Sequence, residues 1–407
     1  MTLRPEYEYV DSPEGFHRVA RALAQGRGPF AIDTERASAY RFDDRAFLVQ
    51  IYRRGAGAFL LAPEGHRKHF TAALAPVING EEWIIHAAGE DLQALAMMQL
   101  HPGTLFDTEL AARFAGFTRP NLGAMVKHFT GVHLDKSHGR ENWSKTPLPK
   151  AWLDYAALDV LYLHDLAEAL AEVLDTAGVL PFAEAEFEHL IDTRSLESPV
   201  ERNWLDLKGI STVRTARGLQ LVRELFSIRE RRAFGSDVSP SMIMPNQVLI
   251  AIGRAEPTTE VQLSRVRGFP SHDDAITRTW MSYVERALSD EEVTWPSPRE
   301  RRAKVAPSPV KWKREYPESW ARVQLAKEYI EEAATELGIP GVNLLSSSTL
   351  RGALWNQWEA SGGQIQGLDT HALIPILVDA GARQWQAETA APLVAAALHE
   401  PIEIPQA

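Results

Sequence analysis

Phe30-Ala-Ile-Asp-Thr-Glu35 decides how this chain is read. The apolar, β-prone run from Gly28 to Ile32 predicts a strand, and Asp33 and Glu35 follow it two residues apart. Side chains at that spacing leave a strand on the same side of the pleat. At a strand end they stand at the mouth of a sheet, a common place for α/β active sites. The pair suits a shared divalent cation; a surface turn carrying two acids is the alternative.

Two further acidic segments follow. Asp91 comes after the buried-strand run Trp83-Ile-Ile-His86, where the chain turns into a helix, and fits a metal ligand or a helix cap. Tyr155 and Asp159 lie four apart in a helical stretch from Trp152 to Leu166, hence on one face. Taken alone, that pair reads first as a packed amphipathic helix whose Tyr and Asp are partly exposed. Taken together, four carboxylates at element ends beside apolar runs point to a site for Mg²⁺ or Mn²⁺, which prefer oxygen ligands. Two such cations about 3.5–4 Å apart stabilise both the attacking and the leaving oxygen of phosphodiester hydrolysis.

Further strands are predicted at Phe47–Tyr52 and Ala58–Ala62, joined through Arg53-Arg-Gly-Ala-Gly57 as a hairpin. Ser12-Pro13 begins a helix and residues 66–77 form another, so an α/β layer domain covers residues 1–180. Residues 181–210 read as a connector, 211–290 as a helical domain, 291–318 as a basic Pro-rich linker and 319–400 as a second helical domain. Asp107 reads as a cap of the helix that follows it, Glu90 as solvent-facing, His86 as a core histidine, and His164-Asp165 as surface.

The three acidic segments resemble the motifs of the DEDD superfamily of 3′→5′ exonucleases, and Tyr-x-x-x-Asp at 155–159 its tyrosine subclass. Leu105-Phe-Asp-Thr108 and the loop Asp135 to Trp143, followed by Thr146-Pro-Leu148, resemble the ribonuclease D family in particular. The resemblance implies a ribonuclease H-like exonuclease domain that releases nucleoside 5′-monophosphates from an RNA 3′ end. Asp33, Glu35, Asp91 and Asp159 would be ligands of two Mg²⁺ or Mn²⁺ ions, and Tyr155 would orient the attacking water. Residues 211–290, with arginines from Arg214 to Arg232 and Met244-Pro-Asn-Gln-Val-Leu249, resemble an HRDC domain. The 319–400 segment resembles a more divergent copy. The expected partner is RNA with a free 3′ end, such as a tRNA precursor. A DNA exonuclease or an inactive nucleic-acid-binding protein would be the alternatives.

Lys136, His138 and Arg140 in the polar loop near the third motif are candidate phosphate contacts, as are Arg229 and Arg232. Arg299 to Arg314, interleaved with Trp312, would suit contact with a single strand or form a solvated linker. At 407 residues the chain predicts two or three domains. A net charge of −11 confines any nucleic-acid site to a local basic patch or a metal-filled cleft. With no cysteine, thiolate zinc sites, disulfides and cysteine nucleophiles are excluded, which suits a reducing cytoplasm. No apolar run is long enough to span a bilayer, and no obligate protein partner is expected.

Overall fold

In the computed structural model, the described residues are 5–134, 138–139, 141–195, 202–297, 306–363 and 368–401. Six strands form one mixed sheet: β1 (Glu8–Val10), β2 (Arg27–Arg36), β3 (Ala46–Arg54), β4 (Gly57–Leu61), β5 (Glu82–Ile85) and β6 (Thr104–Asp107). Their order is β1-β4-β3-β2-β5-β6. The predicted β3–β4 hairpin forms, and β2 to β4 are antiparallel neighbours, while β5 and β6 add in parallel beside β2. The edge strand β1 and the outer strand β6 were not expected. Each is only three or four residues long and offers little periodicity.

The alternation of β2 sorts its side chains onto two faces. Phe30 and Ile32 enter the large core with Phe16, Leu23, Phe70 and Leu74, beneath the helices Pro13–Gln25 and Arg67–Ile78. Ala31 faces the other way, toward Val160, Leu163 and Ala167. Burial of these apolar faces, at about 25 cal/mol per Å², supplies the main drive for closing the layers. The stretch predicted as one helix from Trp152 is two, Lys150–Leu161 and Leu163–Thr176, broken at Tyr162. His164 is buried rather than on the surface: its Nε2 lies 3.0 Å from the Pro29 carbonyl and its ring meets Tyr52 edge-on. Asp165 is exposed and pairs with Arg54.

The connector is half helical. Leu180–Arg194 packs on the sheet domain through β6, with Phe187 against Phe106. Residues 207–288 hold a separate core around Leu219, Leu225, Leu249 and Trp280. There the helices Ala216–Ser236 and Asn246–Ala255 cross at Gly218, where a Cβ would lie 2.1 Å from the Gly253 carbonyl oxygen. This helical unit meets the loop between β2 and β3. Asp237 accepts hydrogen bonds from Arg41 at 3.0 Å and from Arg45 at 2.7 Å, and the Ser239 amide donates to the Tyr40 carbonyl.

The last helices do not form an isolated unit. Their buried residues, including Ile330, Leu354, Leu373 and Val394, are continuous with the core beneath the sheet. Phe182 stacks on Trp385 at 4.8 Å, and nearly buried Glu186 accepts from Arg383 and from Trp385 Nε1. The end of the predicted linker is also packed. Trp312 lies in the helix Pro309–Glu315 with no exposure, its Nε1 donating to Ser319, so it is not available to stack on a base. Both helical segments share one local pattern. A long helix (Ala216–Ser236 or Pro317–Glu336) precedes a single turn (Pro240–Ile243 or Gly341–Leu344). One extended, buried residue, Met244 or Leu345, follows.

Candidate active site

The strand β2 continues through the acids rather than ending before them. Asp33, Thr34 and Glu35 pair with Gln50, Val49 and Leu48. On the other side β2 is matched to β5 only at Phe30 and Ala31, so a notch opens beside the acidic residues. The turn after β5 fills it and carries Asp91.

Asp107 holds that turn. Its buried carboxylate accepts from the amides of Ala87 and Ala88 as well as capping the helix Thr108–Phe114 at Glu109 and Leu110. The expected cap is therefore also a brace for the turn bearing Asp91. Thr34 leaves β2 on the face opposite Asp33 and donates its hydroxyl to Asp91 Oδ1 at 2.5 Å. Neither Thr34 nor this bracing role was read from the sequence. Asp91 stands at a helix start but makes no side-chain cap bond. Glu90 faces solvent as expected, and His86 Nδ1 meets Thr108 Oγ1 at 2.9 Å.

The helix Lys150–Leu161 lays Ala156, Ala157 and Val160 on the sheet and brings Asp159 over β2. One oxygen from each of Asp33, Glu35 and Asp159 lies within 4.8 Å of the others, the one such group among the described residues. Asp91 is buried beside them but outside that trio. Tyr155, one turn before Asp159, is flanked by His138, whose ring meets it edge-on at 5.9 Å. A Cβ at Gly139 would stand 3.3 Å from the Tyr155 hydroxyl, so the loop passes close over the phenol.

The electrostatics reflect crowded like charges. Burial, then repulsion from Asp91, Asp159 and Glu35, holds the Asp33 carboxyl well above the ordinary range. Burial, then Asp159 and Asp91, does the same for Glu35. Asp159 is pushed up to about 8 by burial and by Asp91. Asp91 rises to about 6 through burial, with Arg36 and the Thr34 hydrogen bond pulling it back. Burial also raises the Tyr155 phenol, reinforced by Asp159, Glu35 and Asp33, so it stays protonated.

These shifts carry a sign. The folded, metal-free protein holds more protons than the unfolded chain between the ordinary carboxylate range and about pH 8. The contribution of these acids to stability is therefore present at low pH and lost as pH rises through that window. A divalent cation opposes the loss, and protonation opposes its binding. Mg²⁺ is expected to raise the melting temperature more at pH 8 than at pH 5. Equal shifts at both values would show that the cation acts elsewhere.

Of the predicted nucleic-acid contacts, Lys136 and Arg140 lie outside the described residues. His138 is partly exposed beside Tyr155. Arg232 is exposed, with its guanidinium 5.9 Å from the Tyr283 ring. Arg229 does not fit that role. It is 2% exposed, and its guanidinium donates to the Met244 carbonyl, Asn246 Oδ1 and Glu230, binding helices of its own unit together.

The sheet domain with its four acids and the tyrosine falls in the part of the chain that is similar to 3′-5′ exonucleases. A family profile described as "3'-5' exonuclease" matches residues 7–175, and an HRDC domain profile matches 218–273. The chain is thus similar to ribonuclease D proteins, with an HRDC match following its exonuclease match. Residues 305–398 match a different profile, "3' to 5' exonuclease C-terminal domain". The ribonuclease D of Gluconacetobacter diazotrophicus is 30% identical over 233 residues, 56% of this chain and 58% of that protein. The match thus spans just over half the length of that relative. A crystal structure of a protein from Bifidobacterium adolescentis shares the fold with a TM-score of 0.80 at 26% identity, covering 97% and 99% of the two chains. Escherichia coli RNase D shares it at 0.67 and 24% identity, covering 89% and 93%. Among the described residues no helix is long and apolar enough to cross a membrane.

Proposed function

We propose that this protein is a divalent-metal-dependent 3′→5′ exoribonuclease. It releases nucleoside 5′-monophosphates while trimming the 3′ ends of tRNA precursors or other structured RNA. The observation carrying this reading is the trio of carboxylate oxygens within 4.8 Å, set in a domain matched to 3′-5′ exonucleases. The donor set fits Mg²⁺ or Mn²⁺, being all oxygen, partly buried and crowded with like charge. Asp33, Glu35, Asp91 and Asp159 would hold two such ions. When bound, they supply an activated water and stabilise the leaving 3′-oxygen.

The chain's own residues do the positioning. Thr34 and the Asp107-braced turn fix Asp91. Tyr155, kept protonated, offers its hydroxyl as a donor that orients the water rather than as a base. Arg36 bridges toward Asp44 and Glu90 at the rim, and Asp91, Asp44 and Glu90 keep it charged against partial burial. Contacts to RNA are assigned to His138 with Lys136 and Arg140, and to Arg232. The 319–400 segment is read as a divergent second HRDC-like bundle, supported by the helix–turn–helix pattern it shares with residues 216–255. The lack of cysteine supports a cytoplasmic setting.

Purified protein incubated with 3′- and 5′-labelled RNA and DNA tests the assignment. Stepwise shortening of RNA from its 3′ end, abolished by EDTA, is expected. Equal shortening of DNA would move the assignment to a DNA exonuclease, and RNA binding without hydrolysis would make it an inactive binding protein. Tyr155→Phe should keep metal binding while slowing turnover about 10²-fold, as for loss of a positioned proton donor. Normal turnover in that variant would refute the role given to the hydroxyl.

A further inference from the structure

Gln50 sits in the middle of β3 with no exposure, yet among the described residues neither its Oε1 nor its Nε2 has a hydrogen-bond partner. Buried amides are nearly always paired, so an unpaired one calls for a functional or solvent-based explanation. Its surroundings are fixed by register. Gln50 is the Cα partner of Asp33 on β2 and of Leu60 on β4. Directly opposed residues in an antiparallel pair project from the same face, with Cβ atoms roughly 4.5–5.5 Å apart. Gln50 therefore shares the face of Asp33 and Glu35, under the helix that carries Asp159.

A second unpaired group lies in the same layer. Leu48 and Leu60, which flank Gln50 on that face, cluster with Ala156, Ala157 and Trp143. Trp143 Nε1 is likewise buried without a partner among the described residues. An indole donor and an amide with both ends free thus face one layer beside a carboxylate that Glu35 and Asp159 crowd within 4.8 Å.

We infer that Gln50 is a positioning residue for Asp33. Its amide N–H donates to the Asp33 carboxylate in the cation-loaded site, and its Oε1 accepts the Trp143 indole N–H. Neutralising the acidic trio frees Asp33 to turn toward the amide. Gln50 then fixes which Asp33 oxygen is left for the metal. The role rests on the metal-site reading above.

Gln50→Met and Gln50→Leu keep the bulk and remove the hydrogen-bonding groups. In the full chain, Mn²⁺ affinity is measured by titration calorimetry, alongside metal-free melting and steady-state kinetics. Both variants should melt no lower than the unsubstituted protein without metal. Their Mn²⁺ dissociation constants should rise about tenfold, the usual effect of losing a group that orients a ligand. Their kcat should fall while KM for RNA holds. Folded variants with unchanged Mn²⁺ affinity would overturn the role of Gln50 alone. Unfolding of both would also overturn it, by showing the amide to be structural. If the unsubstituted protein bound no Mn²⁺ that Asp33→Asn abolishes, the metal-site reading itself would fail and this role with it.

Discussion

Asp33→Asn is expected to lower metal-dependent RNA hydrolysis by roughly a thousandfold or more while leaving the protein folded and able to bind RNA. Metal stabilisation of transition-state charge is worth several kcal/mol, and each tenfold in rate is about 1.4 kcal/mol. Asparagine keeps the shape of the side chain but loses the charge that would hold a cation. It also relieves repulsion, because the Asp33 carboxyl is held far above its ordinary range by burial, Asp91, Asp159 and Glu35. The metal-free variant should therefore melt higher than the parent at pH 8, the opposite of ordinary damage. Hydrolysis at the parental rate would end the assignment. Loss of activity with a lowered melting temperature would point to misfolding instead.

Trp312→Ala should cost about 3–5 kcal/mol of stability, in the range for large-to-small changes in a core. The ring is fully buried, meets Trp320 and Trp355 at 5.9 and 5.1 Å, and donates to Ser319. Denaturant unfolding of the two proteins measures the difference. A change below about 0.5 kcal/mol, typical of exposed sites, would restore the picture of a solvated linker.

Much of the acidic cluster was legible in the sequence because each acid follows an apolar run that fixes its element. The hairpin at 53–57 and the Ser12 cap were legible from turn and cap chemistry, and both form. What escaped depends on tertiary neighbours. Arg229 looks like its solvent-facing neighbours on an arginine-rich helix, and only the approach of Met244 and Asn246 turns it inward. His164 follows a helix break invisible in the periodicity. Trp312 sits among basic residues, a composition that suggests solvent until the Trp355 face is seen to cover it. For Gln50 the available signal was a lone amide inside the otherwise apolar start of β3, Ala46 to Ile51.

The join between Glu186 and Arg383 spans 197 positions of the chain. During synthesis the sheet domain emerges first, and domains tend to fold in that order. Until the final helices arrive, Phe114, Phe182 and Glu186 lack the Trp385 and Arg383 that cover or pair with them. The nascent sheet domain thus carries a half-finished flank until those helices are made. Chains shortened at the C-terminus should inherit that flank permanently and lose solubility before they lose the acidic site.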